Sequence, residues 1–134
     1  MNQYIDKEME KVFEKHGVFF AFSEKQFNEG KKEGVTYVNV GNGDLCPKEN
    51  VKAYIEDASN VIDTGIRKQV EELGAEKIIE HEYFNYECQL SMDISRMVSA
   101  LETHIEIFPE LFTDELIKET STKCFNKAVE NDWF

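Results

Sequence analysis

The stretch VTYVNVGNGDLCPKENVKAYIEDASNVIDTGIRKQVEELG, residues 35–74, decides the fold because its apolar period changes once along it. Thr36, Val38 and Val40 alternate as on a strand, where successive side chains leave opposite faces. Gly41-Asn42-Gly43 breaks that run. Beyond Pro47 the apolar residues Val51, Tyr54/Ile55, Ala58, Val61/Ile62, Ile66, Val70 and Leu73 return every three or four positions until Gly74, which is the spacing of one helical face. Pro47 suits the first helical position, where its missing N–H costs nothing. A helix over residues 47–73 would be about 40 Å long at 1.5 Å per residue, so a bend near Thr64-Gly65 is expected.

Upstream, Ile5, Met9, Val12, Phe13 and His16 mark an amphipathic helix over residues 3–16 that Gly17 stops. Val18-Phe19-Phe20-Ala21-Phe22 reads as a short buried strand. Ser23 and Gln26 form a capping box for a helix through Lys32, which ends at Gly34. Downstream, Ile78, Ile79, Tyr83, Tyr86 and Leu90 give a helix over residues 75–90. Ser91 caps a further one carrying Ile94, Met97, Val98, Leu101 and Ile105, and Pro109 interrupts it. Thr113 caps a last helix through Asn131. The expected fold class is therefore α+β and mostly helical. A two- or three-stranded sheet from the N-terminal third packs on a helical body, all in one domain over residues 1–134. Periodicity leaves the strand direction open.

Charge is the strongest bulk property. Fifteen Lys and Arg stand against 27 Asp and Glu, a net charge of −12. Residues 75–134 hold 5 basic and 13 acidic groups, so −8 of that total lies there. This balance repels nucleic acid and anionic membrane and favours basic partners. Direct nucleic-acid binding would need a basic stripe, and no basic run exceeds Lys31-Lys32. Cys46, Cys88 and Cys124 are odd in number and widely spaced. The charged start MNQYIDKEMEKVF lacks the apolar core of a signal peptide. Free thiols in the cytoplasm are the expectation, and no apolar run approaches the 20 or so residues of a membrane span.

The block Gly17-Val18-Phe19-Phe20-Ala21-Phe22-Ser23, Gln26-Phe27, Glu29-Gly30-Lys31-Lys32, Gly34-Val35, Tyr37-Val38, Gly41-x-Gly43 and Cys46-Pro47-Lys48-Glu49-Asn50-Val51 resembles a family of small uncharacterised proteins from phage and bacterial genomes. The resemblance covers about residues 3–60, with an echo at Asn85-Tyr86-Glu87 and Asp93, and the acidic region from Met97 onward departs from it. It implies a phage-like setting and carries no catalytic residue onto this chain.

Three groups of residues carry chemistry that could serve a site. Gly41, Asn42, Gly43 and Lys48, between a strand and a helix, have the order of a phosphate-cradling loop. The third glycine and the Walker Lys-Ser/Thr pair are absent and Asp44 opposes an anion, so a plain turn is the competing account. Cys46 would sit just before the helix, where the dipole lowers a thiol pKa, against the alternative of a small buried residue. His81-Glu82-Tyr83-Phe84-Asn85 is a near miss to a zinc-protease motif, since Asn85 stands where the second His is needed. His81, Asn85 and Cys88 share a face of the helix over residues 75–90, and His104 could approach from the next helix. A polar seam between helices is the competing account, and neither a metal nor any cofactor is expected.

The acids Glu82, Glu87, Asp93, Glu102, Glu106, Glu110, Asp114, Glu115 and Glu119 can be read three ways: a general acid–base pair, which nothing in the sequence marks, an ordinary solvated surface, or a surface that imitates the phosphate rows of a nucleic acid. Glu82 apart, these acids, with Phe108 and Phe112 as aromatic anchors, make a candidate patch for a basic host protein. The expected function is a stoichiometric inhibitor or regulator, encoded by phage or a mobile element, of a defence or nucleic-acid-handling protein. The alternatives are a ligand-binding or enzymatic domain built on the Gly41–Lys48 loop or the His81/Cys88 face, and a homodimer joined along the stripe of helix 47–73.

Overall fold

A computed structural model describes residues 2–134, with the side chain of Asn2 left aside. It is 69% helical, with a small three-stranded antiparallel sheet from the N-terminal third and a helical body. The chain forms two compact units, Met1–Gly65 and Ile66–Phe134. Among the described residues no helix is long and apolar enough to cross a membrane.

In the first unit a 3-10 turn, Asn2–Tyr4, leads into α1, Asp6–His16. Gly17 ends α1 in the left-handed conformation, φ 70°, and its N–H donates to the Phe13 carbonyl, as a glycine stop does. β1 is only Phe19–Phe20. The bulky run around it is not all buried, because Phe20 and Phe22 stack edge to face on the outside, with Phe22 78% exposed. β1 is an edge strand in the order β1-β3-β2, so only one flank of it has a partner. α2, Glu24–Gly30, is capped at Ser23, whose Oγ accepts from Gln26 N–H, while Gln26 Oε1 accepts from Phe22 N–H. α2 therefore closes four residues before Gly34.

β2, Tyr37–Gly41, and β3, Asp44–Pro47, form a hairpin. Asn42 and Gly43, at φ 52° and 86°, are its two turn residues. Positive φ at both is the signature of a tight turn whose twist suits a hairpin. The helix after it starts later than the stripe indicates: Lys48–Asn50 is a 3-10 turn, and α3 runs unbroken over Val51–Leu73. Gly65 lies inside α3 because a Cβ there would come within 2.8 Å of the Tyr4 carbonyl oxygen and 2.7 Å of Ile5 Cγ1. The core of the unit joins Val12, Val18, Cys46, Tyr54 and Ala58, with Met9, Phe13, Val40, Val51 and Val61 packed around them. The α3 stripe is thus filled by the chain's own residues in this unit.

The second unit takes the end of α3 and then five helices: α4, Ala75–Asn85; α5, Cys88–Ser91; α6, Ser95–Ala100; α7, Glu102–Ile107; and α8, Asp114–Asn131. The expected helix over 75–90 is broken at Tyr86-Glu87, where Glu87 takes φ 50°. The expected helix after Ser91 is likewise divided at Leu101 into α6 and α7. α8 matches its expected bounds, and Thr113 Oγ1 accepts from Leu116 N–H to cap it. Ile78, Ile79, Cys88, Met97, Leu101 and Ala128 have no exposed surface.

Candidate functional site

The second unit is organised by the packing of α4 on α8. Glu76 meets Lys123 at 3.5 Å and Glu80 meets Lys127 at 3.6 Å. Both pairs are 47 residues apart (123 − 76 and 127 − 80), so the two helices run parallel in one register. The inward residues of α8 are Ile117, Thr120, Cys124 and Ala128. One turn beyond the ion pairs, Phe84 and Trp133 meet edge to face with ring centres 5.6 Å apart. Lys127 also lies 5.7 Å above the Trp133 ring. Lys123 and Lys127 are thus both engaged.

Seven acids elsewhere in the unit are not. Glu87, Glu102, Glu106, Glu110, Asp114, Glu115 and Glu119 are exposed, and none of them is held in an ion pair among the described residues. Glu102 and Glu106 are one turn apart on α7, as are Glu115 and Glu119 on α8; such like-charged neighbours repel mildly. Asp114 and Glu115 are also in the first turn of α8, where negative charge complements the helix dipole. Asp93 is occupied in holding the start of α6. Its Oδ1 accepts from Ser95 N–H at 2.9 Å and Ser95 Oγ at 2.7 Å, which holds its carboxyl below the ordinary range. Glu82 is buried on α4.

The two aromatic anchors separate. Phe112 is 2% exposed and packs edge to face on His104, so it belongs to the core and cannot present itself to a partner. Phe108 is half-buried beneath the Arg67 guanidinium, 5.4 Å from the ring centre. The Pro109 turn folds both inward, because Leu111 and Phe112 N–H groups donate back to the Phe108 carbonyl.

His81 and Asn85 are exposed on α4 and line one open depression with Lys77, Glu80 and Phe84. Cys88 has left that face, because the break at Glu87 turns α5 and buries the thiol completely. His104 is committed elsewhere: its Nε2 lies 2.7 Å from Gln69 Oε1. Its Nδ1 is buried without a partner, and burial holds the imidazole below its ordinary pKa. That arrangement is a polar seam. Among the described residues no group of three or more His, Cys, Asp or Glu is placed to hold a metal ion.

The Gly41–Lys48 segment is a hairpin, so no helix N-terminus backs its glycines. Gly41 N–H donates to Asn39 Oδ1, and the Gly43 carbonyl accepts from Ala21 N–H. The Phe20 ring closes over the turn, 3.0 Å from where a Gly43 Cβ would lie. Lys48 is at the far end of β3, where its N–H donates to the Thr36 carbonyl. Cys46 lies within β3 and not at a helix start, and burial pushes its thiol up. Burial does the same to Cys88, and pushes Cys124 up to about 11. None of the three is an activated thiol.

One polar group escaped the sequence reading. His16 reads as the last residue of an apolar stripe, yet its Nε2 is 2.6 Å from Asp57 Oδ2, and Lys15 Nζ is 3.1 Å from the same oxygen. The His16 contact first, then Lys15, holds the Asp57 carboxyl below its ordinary range. Asn50 Nδ2 donates to the His16 carbonyl. His16 and Asp57 are 41 residues apart, and nothing local in sequence joins them.

A family model described as "Family of unknown function (DUF7659)" matches residues 1–127. The chain belongs to that family. The match runs far past residues 3–60, through both units and into the last turns of α8, so the acidic region after Met97 belongs to the family pattern. No curated protein and no solved structure matches the chain.

Proposed function

We propose that this member of the DUF7659 family is an interaction protein that binds a basic partner protein in fixed ratio. The binding surface comprises the outward acids of α7, the Pro109 turn and the start of α8. A single contrast supports it. Glu76 and Glu80 are matched by Lys123 and Lys127, whereas Glu87, Glu102, Glu106, Glu110, Asp114, Glu115 and Glu119 have no ion-pair partner among the described residues. Unmatched charge of one sign steers a partner of the other and makes its binding salt-sensitive. A nucleic-acid-handling protein, whose groove is basic, fits that chemistry. The phage-like setting implied by the N-terminal block fits a small inhibitor or regulator acting in the cytoplasm.

The test is retention of a partner from lysate on the immobilised protein at about 50 mM and about 300 mM salt, since screening tightens from a length of about 10 Å at 0.1 M to about 3 Å at 1 M. A discrete basic protein is expected at low salt and is lost at high salt. It is also lost when Glu102, Glu106, Glu115 and Glu119 are all changed to Gln. Retention indifferent to both salt and the four substitutions, or no retention at low salt, refutes the proposal.

A further inference from the structure

α5 is a four-residue helix bracketed by two non-glycine residues in the left-handed region, Glu87 at φ 50° and Met92 at φ 57°. A side chain there crowds its own backbone, and such strain persists where the surroundings enforce it, often at a binding site. Here the enforcement is visible. Cys88 is fully buried beneath α5, and Gln89 Nε2 donates to the Trp133 carbonyl at 3.4 Å. With α5 held from below and from the side, the chain turns two apolar residues to water: Leu90 is 53% and Met92 74% exposed. Trp133, whose backbone carbonyl receives that Gln89 bond, is 44% exposed as well. An unbranched Met, an exposed Leu and an indole make an adaptable apolar surface.

The charged residues that flank these three in sequence have one sign to spare. Glu87, Glu130 and Asp132 are exposed and in no ion pair among the described residues. The nearby bases are occupied: Lys127 by Glu80 and the Trp133 ring, Arg96 above the Tyr86 ring at 5.3 Å. An apolar centre with an acidic rim complements a helix with one apolar and one basic face.

We infer that Leu90, Met92 and Trp133, with Glu87, Glu130 and Asp132 around them, form a docking site for a basic amphipathic helix of a partner protein. The inference rests on the basic-partner reading above and adds to it the place and the shape of what is bound.

Two labelled peptides of about five helical turns, built only of Leu and Lys, serve as probes. One segregates Leu to a single face, and the other has the same composition with no apolar face. The segregated peptide is expected to bind at least tenfold more tightly. The double variant Leu90→Gln, Met92→Asn is expected to weaken it tenfold or more while leaving the melting temperature unchanged or higher, because Asn accepts the left-handed conformation. A second variant, Glu87→Gln with Asp132→Asn, is expected to weaken both peptides. Equal binding of the two peptides, or tighter binding of the segregated one that Leu90→Gln, Met92→Asn leaves untouched, overturns the docking site and leaves the charge reading standing. Binding of neither peptide overturns both.

Discussion

Both units use a few of their charges to close distances in sequence, and the second carries the larger acidic surplus. In Met1–Gly65 a single carboxylate, Asp57, reaches back across 41 and 42 residues to His16 and Lys15. In Ile66–Phe134 two acids do comparable work, Glu76 and Glu80 across 47 residues to α8. That unit as a whole has 15 acids and 7 bases (7 − 15 = −8), against 12 acids and 8 bases (8 − 12 = −4) in the first. Charge that holds a fold together is matched in pairs. An unmatched surplus on exposed helices contributes little to stability and is free to recruit something else.

The largest effect expected of a test of this contrast comes from the core. Ile79, with no exposed surface, changed to Ala should destabilise by about 2–5 kcal/mol. Hydrogen exchange should show protection falling first in residues 66–134. Equal loss in both units would make them one cooperative body and weaken the comparison. Acid comes next. The folded His104 resists protonation that the unfolded chain accepts near pH 6.5, so stability falls as pH drops through that value. Asp57, depressed when folded, contributes above about pH 3.9 and is lost below it. Thermal melts between pH 8 and 3 should therefore show two windows, and His104→Gln should remove only the upper one. Thr113→Ala removes the α8 cap and should cost about 1 kcal/mol, measured by denaturant titration. Smallest of all, Glu102→Gln and Glu106→Gln should move stability by less than about 0.5 kcal/mol in that titration. A larger loss would mean these acids have hidden structural partners.

Much of the fold was legible because it was locally signed. Gly17, Ser23 and Thr113 mark helix ends with the chemistry that their backbones need, and the structure places each at an end. What was hidden depends on distant contacts. β3 reads as loop, since Asp44-Leu45-Cys46-Pro47 has poor strand composition and becomes a strand only between β1 and β2. Without it the two glycines looked like the approach to a helix. The breaks at Glu87 and Leu101 carry no Gly or Pro to announce them. Through the first of these, Cys88 leaves the face it shares with His81 in the sequence pattern, and Leu90, which the pattern puts on the apolar stripe, turns outward. Phe112 looked like an anchor because an aromatic beside Pro109 has the same sequence appearance whether it points in or out.

Because α4 and α8 run parallel with a constant offset of 47, their C-terminal ends fall level, Asn85 with residue 132, one past the end of α8. Two helices side by side in the same sense add their peptide dipoles, each equivalent to about half a negative charge at the carbonyl end. The unit is thus a small electret with its negative pole at the Tyr86–Trp133 end. That polarity is written in the backbone, so neutralising every carboxylate there would diminish the attraction for a cation without abolishing it.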